Sequence, residues 1–417
     1  MCTTTLQHPG EWAQNEFAFA ELGDQRLNKR LMNIASKLAA SPGGTLPQAF
    51  AQWAELKGAY RFFDNALVDY AKVLGPHLER TRLACREAGE YLIIEDTSEL
   101  DFTFHRQTQQ LGVIGHGEGR GFALHSALAV RVEGWTLEQR PEGQAVGLLD
   151  QQCVRPRPAP KGETRQERLK RRRLSHWWAE GLSKVGAPPS GCQWVYIADR
   201  ESDFYEPMDI CLRLGVDFVI RGYQDRRLAE PAGKLREVLA QAPVLGQSTV
   251  ELRSRGGEPA RIAMVELRSV RVDLDGPWRP GGWRPALKEV WVVQVSEVSA
   301  PEGVREPLHW ILLTSLPCRT LAQTQRVVGR YTARWWIEEY HNSPQEWCWC
   351  REEPIGTGRA FGRVDCGPGR SGSAVAEHQN VSAESAGRLR GQREFQSRGA
   401  GDFGEEIRPT FGWLEQS

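Results

Sequence analysis

Two short runs that are apolar on both faces constrain this chain more than any other feature. Tyr91-Leu92-Ile93-Ile94 ends abruptly in Glu95-Asp96, and Trp194-Val195-Tyr196-Ile197-Ala198 ends in Asp199-Arg200-Glu201-Ser202-Asp203. A strand with no polar face has to lie inside a sheet covered on both sides, so helices are required above and below it. Phe122 to Val132, Ala145 to Leu149 and Asp217-Phe218-Val219-Ile220 read as further strands, and a basic helix is expected from about Thr164 to Val185. Strands with intervening helices predict an α/β core built on a mixed sheet.

The segments on either side are of different character. In the first seventy residues Leu22, Leu27, Leu31, Ile34 and Leu38 recur at helical spacing, with Asp24 placed as an N-cap. Ser41-Pro42-Gly43-Gly44 breaks this helix, and a second is expected from about Pro47 to Phe63. Two short helices joined by a Gly/Pro turn fit a small DNA-binding unit over residues 1–70, and fit an ordinary helical hairpin equally well. Ser248 to Ser254, Ala260 to Val272, Val290 to Val298 and His309 to Leu316 are strand-like without helices between them. They predict an antiparallel insertion over residues 240–318 within a core spanning 71–341, followed by a helix from about Leu321 to His341. Residues 351–417 hold twelve Gly and nine Arg but no Lys, and only 11 of these 67 residues are Leu, Ile, Val or Phe. Such a segment cannot build a core, so disorder is expected over 342–417.

Composition removes several classes of function. No stretch approaches the ~18 continuous apolar residues of a membrane span, and Met1-Cys2-Thr3-Thr4-Thr5 does not begin a signal peptide. The nine cysteines are scattered, and Cys348 and Cys350 lack the two-residue gap of a zinc or redox motif. A cytoplasmic protein with free thiols is expected. With 53 basic and 53 acidic residues the chain carries no overall basic surplus. Charge does cluster in Arg165, Arg168, Lys170, Arg171, Arg172 and Arg173, either as a solvated helix face or as a nucleic-acid contact.

The chemistry is concentrated at the strand ends. Asp96 and Asp199 each terminate a buried strand, and ligands of α/β sheets bind at such ends. Two carboxylates brought together there repel unless a cation lies between them, and Mg2+ or Mn2+ suits that role. Tyr331, Arg334 and Glu338 follow one another at spacings of three and four, so one helix would present all three on one face. A tyrosine, an arginine and a glutamate on one stripe offer a phosphate grip beside a third metal ligand. Taken singly, each Asp reads more naturally as a loop or cap residue.

Glu95-Asp96-Thr97-Ser98, Asp199-Arg200-Glu201-Ser202-Asp203 and Tyr331-Thr332-Ala333-Arg334-Trp335-Trp336-Ile337-Glu338-Glu339-Tyr340-His341 resemble the three acidic motifs of cut-and-paste DDE transposases. The similarity is to the Tn-five-like branch of the IS-four family and runs from about residue 10 to about 341. Leu22-Gly23-Asp24 and Gly58-Ala59-Tyr60-Arg61-Phe62 resemble its N-terminal domain. The resemblance implies a helical end-binding domain, an RNase H-like core and a β-strand insertion. It also implies metal-dependent nicking of transposon ends and transfer of the 3′-hydroxyl into target DNA. Asp96, Asp199 and Glu338 would be the catalytic, metal-binding triad for two Mg2+ or Mn2+ ions. Tyr331 and Arg334 would hold phosphate near a flipped nucleotide, Trp310 would stack on its base, and Arg26 and Arg30 would touch the element end. Trp310 also reads as a sheet-core residue, and the two arginines as solvated surface. The implied partners are double-stranded DNA and a second copy of the chain, in a bacterial protein that associates with the nucleoid when bound to DNA.

One departure cuts against full activity. The family pattern carries a Lys seven residues after the Glu, and position 345 here is Gln. The sequence after Asn342 does not resemble the family's C-terminal helical domain, and a reading-frame slip near residue 342 explains both changes. Pro344 is expected to end the Glu338 helix within about a turn. A truncated protein that binds element ends without catalysis is the alternative, and a general RNase H-like nuclease a third reading. The expectation for the chain as written is DNA binding with little cleavage or joining.

Overall fold

The computed structural model describes residues 8–349, except 106, 116–118, 159, 165–166, 168–173, 255–258 and 280. The chain begins with the helices α1 (Pro9–Phe17), α2 (Gln25–Ala40), α3 (Leu46–Ala49), α4 (Trp53–Phe63) and α5 (Tyr70–Ala84). Asp24 caps α2 by accepting from the Arg26 amide at 2.8 Å, as its position in the sequence indicates. The single helix expected over 47–63 is divided into α3 and α4, because the backbone turns extended at Phe50 and Gln52. Phe17, Leu22, Leu31, Ile34, Ala59 and Phe62 form a core of these helices' own, separate from the sheet.

The strands β1 (Gly89–Asp101), β2 (Gly112–Ile114), β3 (Gly119–Trp135) and β4 (Pro141–Val154) come next. They are followed by α6 (Leu174–Val185), β5 (Cys192–Ala198), α7 (Tyr205–Leu214) and β6 (Asp217–Gly222). The chain continues through β7 (Arg227–Glu230), β8 (Gly233–Lys234), α8 (Leu235–Gln241), β9 (Val244–Leu252) and β10 (Arg261–Leu274). A small ribbon of β11 (Trp278–Arg279) and β12 (Gly282–Trp283) precedes β13 (Leu287–Glu297), β14 (His309–Thr314), α9 (Leu321–Thr332) and α10 (Trp335–Trp349).

Twelve strands share one sheet in the order β2-β3-β1-β5-β6-β14-β13-β10-β7-β8, with β4 on β3 and β9 on β10. The pairs β1/β5 and β5/β6 are parallel, and the other pairings are antiparallel. This is the mixed sheet expected from the sequence, with helices on both faces. On one face Tyr91, Ile93, Trp194 and Tyr196 pack under α6 and α7 through Trp178, Leu182 and Met208. On the other, Leu92, Ile94, Val195 and Ile197 pack under Leu74 of α5, Val327 and Val328 of α9 and Ile337 of α10. The strand-like segments between 244 and 314 are antiparallel to one another and extend the same sheet.

Three expectations for the end of the described chain are corrected. The helix expected over Leu321–His341 is divided at Ala333-Arg334 into α9 and α10. There the backbone tightens to three-residue bonds, with the Arg334 amide donating to Tyr331 and that of Ile337 to Arg334. Pro344 does not end α10, which runs to Trp349. Disorder is expected over 342–417, but residues 342–349 continue α10; residues 350–417 lie outside the described residues, as does most of the basic run at 165–173.

Gly329 shows how closely α9 is seated. A Cβ at this position would collide with the Gln139 carbonyl in the β3–β4 turn, while Arg326 and Arg330 lie over the Trp135 ring at 5.3 and 4.8 Å from its centroid. Gly329→Ala should therefore push α9 outward and destabilise the fold by about 1–3 kcal/mol, the usual range for overpacking. Urea unfolding checks this, and a midpoint equal to that of the parent chain would refute it.

Candidate functional site

The site is built by strand register. β1 and β5 are parallel neighbours with Ile94 opposite Ile197, and Asp96 and Asp199 each lie two residues further on. Because side chains alternate faces along a strand, two residues on returns to the same face. Both carboxylates thus emerge at the carboxyl end of the sheet, on the side covered by α9 and α10, from strands that run about 4.8 Å apart. Asp96 sits opposite Ser126 of β3. Asp199 caps a short turn at Arg200–Ser202 and accepts from the Glu201 amide at 2.8 Å.

Arg334 joins the first acid to the third. Its Nη1 donates to Asp96 Oδ2 at 3.0 Å, and its Nη2 pairs with Glu338 one turn further along. Burial works against the guanidinium's charge, but Asp96 and Glu338 hold it firmly protonated. The Asp96 carboxyl moves the other way: burial pushes it up to about 7, against the pull of Arg334, with Asp199 and Glu338 adding to the rise. The structure therefore brings Asp96, Asp199, Arg334 and Glu338 within mutual electrostatic reach. It does so from β1, the end of β5, the α9–α10 turn and α10, not from one continuous helix stripe.

Tyr331 is buried at the end of α9. Its ring meets that of Trp310 edge to face, with centroids 5.0 Å apart and planes at 73°. Trp310 is half-buried on β14 and packs against the core beneath α9. Both of its readings keep a physical basis, because part of the indole is covered and part is open.

Glu201 is an acid that the sequence analysis quotes but does not single out. Burial raises its carboxyl to about 8, and Asp199 and Asp96 add to the effect. Glu99 is close enough to contribute as well, and accepts from the Gly115 amide through both oxygens at 3.0 Å. Glu201 lies two residues after Asp199, but nothing in that spacing says that the short turn folds its side chain back toward Asp96.

This donor set is hard oxygen of the kind that suits Mg2+ or Mn2+, which commonly take one or two protein carboxylates together with substrate oxygens. Among the described residues, no group of three or more His, Cys, Asp or Glu side chains is arranged to hold a metal ion. Arg334 occupies the position of a positive charge between Asp96 and Glu338. The chemistry of the donors fits a divalent cation at Asp96 and Asp199, and Glu338 could join only if Arg334 released it.

On the N-terminal helices, Arg26 is 91% exposed, with its guanidinium paired to Asp24 at 2.8 Å. Arg30 lies across α4, where a Cβ on Gly58 would collide with its guanidinium. Neither arginine is near the acids in sequence or in core packing. Trp53, at the start of α4, is 70% exposed.

The architecture is a mixed α/β sheet with acids at its strand ends, joined to a bundle of N-terminal helices with a core of their own. Residues 9–68 match the family model described as a transposase DNA-binding domain. Over this segment the N-terminal helices are similar to a transposase DNA-binding domain. The match points to DNA as the partner and to a nucleic-acid-acting protein. Among the described residues, no helix is long and apolar enough to cross a membrane.

The raised carboxyls give a pH dependence with a definite sign. Asp96 at about 7 and Glu201 at about 8 hold protons more tightly in the folded than in the unfolded chain. Their stabilising contribution is complete below about pH 4, the range of unperturbed carboxyls, and is lost as pH rises through 7 and 8. Without added divalent ions, Tm should fall between pH 6 and pH 9, and Asp96→Asn should flatten that fall. A Tm that rises over this interval in the parent chain would contradict the assignment.

Proposed function

We propose that the chain is a DDE-type DNA transposase of the IS-four family, Tn-five-like branch. It binds transposon ends through residues 1–70 and acts on them with Asp96, Asp199 and Glu338. The observation that carries this reading is the pairing of a transposase-type DNA-binding domain at 9–68 with two carboxylates on the same face of adjacent parallel strands.

In this reading residues 71–341 form the catalytic domain, interrupted by the antiparallel strands of 240–318. Asp96 and Asp199 would hold divalent ions, two per site, with Glu338 as the third ligand. Such ions would supply Lewis-acid activation of an attacking water or 3′-hydroxyl and neutralise charge at the phosphorus. Arg334 then has two roles. In the free protein it neutralises Asp96 and Glu338, and when DNA arrives its planar fork turns to phosphate oxygens, which it can grip through two parallel bonds. Tyr331, at the end of α9, joins it in holding phosphate. The open part of Trp310 offers a stacking surface to a base displaced from the duplex end. A dimer and association with chromosomal DNA follow from the same reading.

A second reading, end binding without efficient catalysis, is favoured by one residue. α10 continues past Glu338, and position 345, seven residues on, is Gln where the family pattern has Lys. A missing phosphate contact of this kind is worth about 1.5–3 kcal/mol, or on the order of ten- to a hundredfold in rate.

The test uses the purified full chain and labelled duplexes ending in the terminal repeats that flank its gene. It should shift those duplexes in preference to random DNA, with affinity falling steeply as salt displaces it from the phosphates. Any nicking should require Mg2+ or Mn2+, vanish in Asp96→Asn and Asp199→Asn, and rise about tenfold or more in Gln345→Lys. Nicking that survives both Asp variants would rule out the assigned triad, and equal binding to random duplex would rule out end recognition.

A further inference from the structure

The sheet row that contains Asp96 also contains Ser126 of β3 and Gln151 of β4, which face one another in register. Gln151 is 5% exposed, and its amide is used from both ends. Its Oε1 accepts from the Tyr70 hydroxyl at 2.5 Å. Its Nε2 donates to Ser126 Oγ at 3.0 Å and to the Tyr340 hydroxyl at 2.5 Å. Ser126 Oγ also meets His341 Nε2 at 3.2 Å. Tyr70 opens α5, two residues beyond the matched DNA-binding segment, whereas Tyr340 and His341 follow Glu338 on α10.

A buried amide with every hydrogen bond satisfied fixes the groups around it, because moving any partner leaves another buried polar atom unpaired. Burial also keeps His341 neutral, lowering its pKa to about 3, so this end of the network does not change charge in the working range of pH. The N-terminal helices hold the same strand at a second point. Glu16 of α1 pairs with His77 Nδ1 of α5, and His77 Nε2 accepts the Leu148 amide of β4 at 2.9 Å. The N-terminal helices are thereby tied to β4 at Leu148 through His77 and at Gln151 through Tyr70, and the Gln151 amide carries a hydrogen bond on to Tyr340 in the helix of Glu338.

We propose that Gln151 is a positioning residue that couples the DNA-binding helices to α10, so that the seat of Glu338 beside Asp96 depends on the seat of Tyr70. This rests on the transposase reading for its purpose, but the link itself can be measured without it. In the free protein the amide holds α10 in register. When DNA loads the N-terminal helices, any shift of α5 is passed through the Tyr70 hydroxyl to Gln151 and from there to Tyr340.

The test is hydrogen exchange, read by mass spectrometry over residues 335–342 in the full chain, for Tyr70→Phe, Tyr340→Phe and the double variant. Each variant loses one hydroxyl and keeps its ring, and a far-ultraviolet spectrum equal to the parent's confirms the fold. Tyr340→Phe should speed exchange in α10 about tenfold. Tyr70→Phe should speed it at least threefold, although that change lies on α5. The double variant should exchange no faster than the faster single, because both act through one amide. Tyr91→Phe, which removes a hydroxyl bonded to Glu87 at 2.8 Å near the far end of α5, should leave α10 unchanged.

Parent-like exchange of α10 in Tyr70→Phe would overturn the proposal, as would strictly additive effects or equal acceleration by Tyr91→Phe. Mn2+ titration of the same proteins keeps the two readings separate. Tyr340→Phe should weaken Mn2+ binding severalfold if Glu338 is a ligand. A parent chain whose Mn2+ binding is indifferent to Asp96→Asn would sink the catalytic reading, and the exchange result would still decide the link.

Discussion

Asp96 and Asp199 leave adjacent parallel strands on the same face, and this juxtaposition of two half-buried carboxylates is the constraint on which the rest of the site depends. Bringing such groups together without a counter-charge favours protonation of at least one, and the Asp96 carboxyl is raised accordingly. Arg334 is the counter-charge that the free protein supplies. To reach Asp96 it sits in the turn that divides α9 from α10, and from there it also holds Glu338. The break in the helix, the tight bonds around Ala333 and the approach of Glu338 are thus parts of one electrostatic arrangement. It leaves the site closed by an internal ion pair, one that a divalent ion and a phosphate together could replace.

The second dependence runs through β4. This strand lies next to β3 and carries neither Asp96, Asp199 nor Glu338, yet it receives the N-terminal helices through His77 and Tyr70 and returns a hydrogen bond to α10 through Gln151. A DNA-binding unit with its own core could have been joined to the sheet by a linker alone. Instead it is seated by buried polar contacts, which fix distance and direction more narrowly than apolar packing does. Such a seat fixes where anything bound to the N-terminal helices lies relative to the sheet.

Several elements were legible from local pattern. The doubly apolar runs at 91–94 and 194–198 marked the covered strands, the acids after them marked the site edge, and Asp24 marked the start of α2. These features depend on period and on neighbours a few residues away. The division of the last helix and the passage of α10 beyond Pro344 ran against the sequence expectation. Helical spacing cannot register that a side chain is being drawn to a partner 238 residues distant, as Arg334 is to Asp96. Glu201 was likewise visible as a letter but not as a neighbour of Asp96.

The sequence by itself determined the α/β character, the two strand ends bearing Asp96 and Asp199, the helical N-terminal unit and the strand-rich segment before α9. All of these follow from alternation, spacing and turn chemistry within short windows. Only the tertiary structure decided that Arg334 bridges Asp96 and Glu338, that Trp310 meets Tyr331, and that one glutamine joins Tyr70 to Tyr340. Those contacts depend on strand order and register, which place residues far apart in the chain on one row of the sheet. No local propensity specifies which strand lies beside which, because that choice is made by the burial of the whole sheet between its two layers of helices.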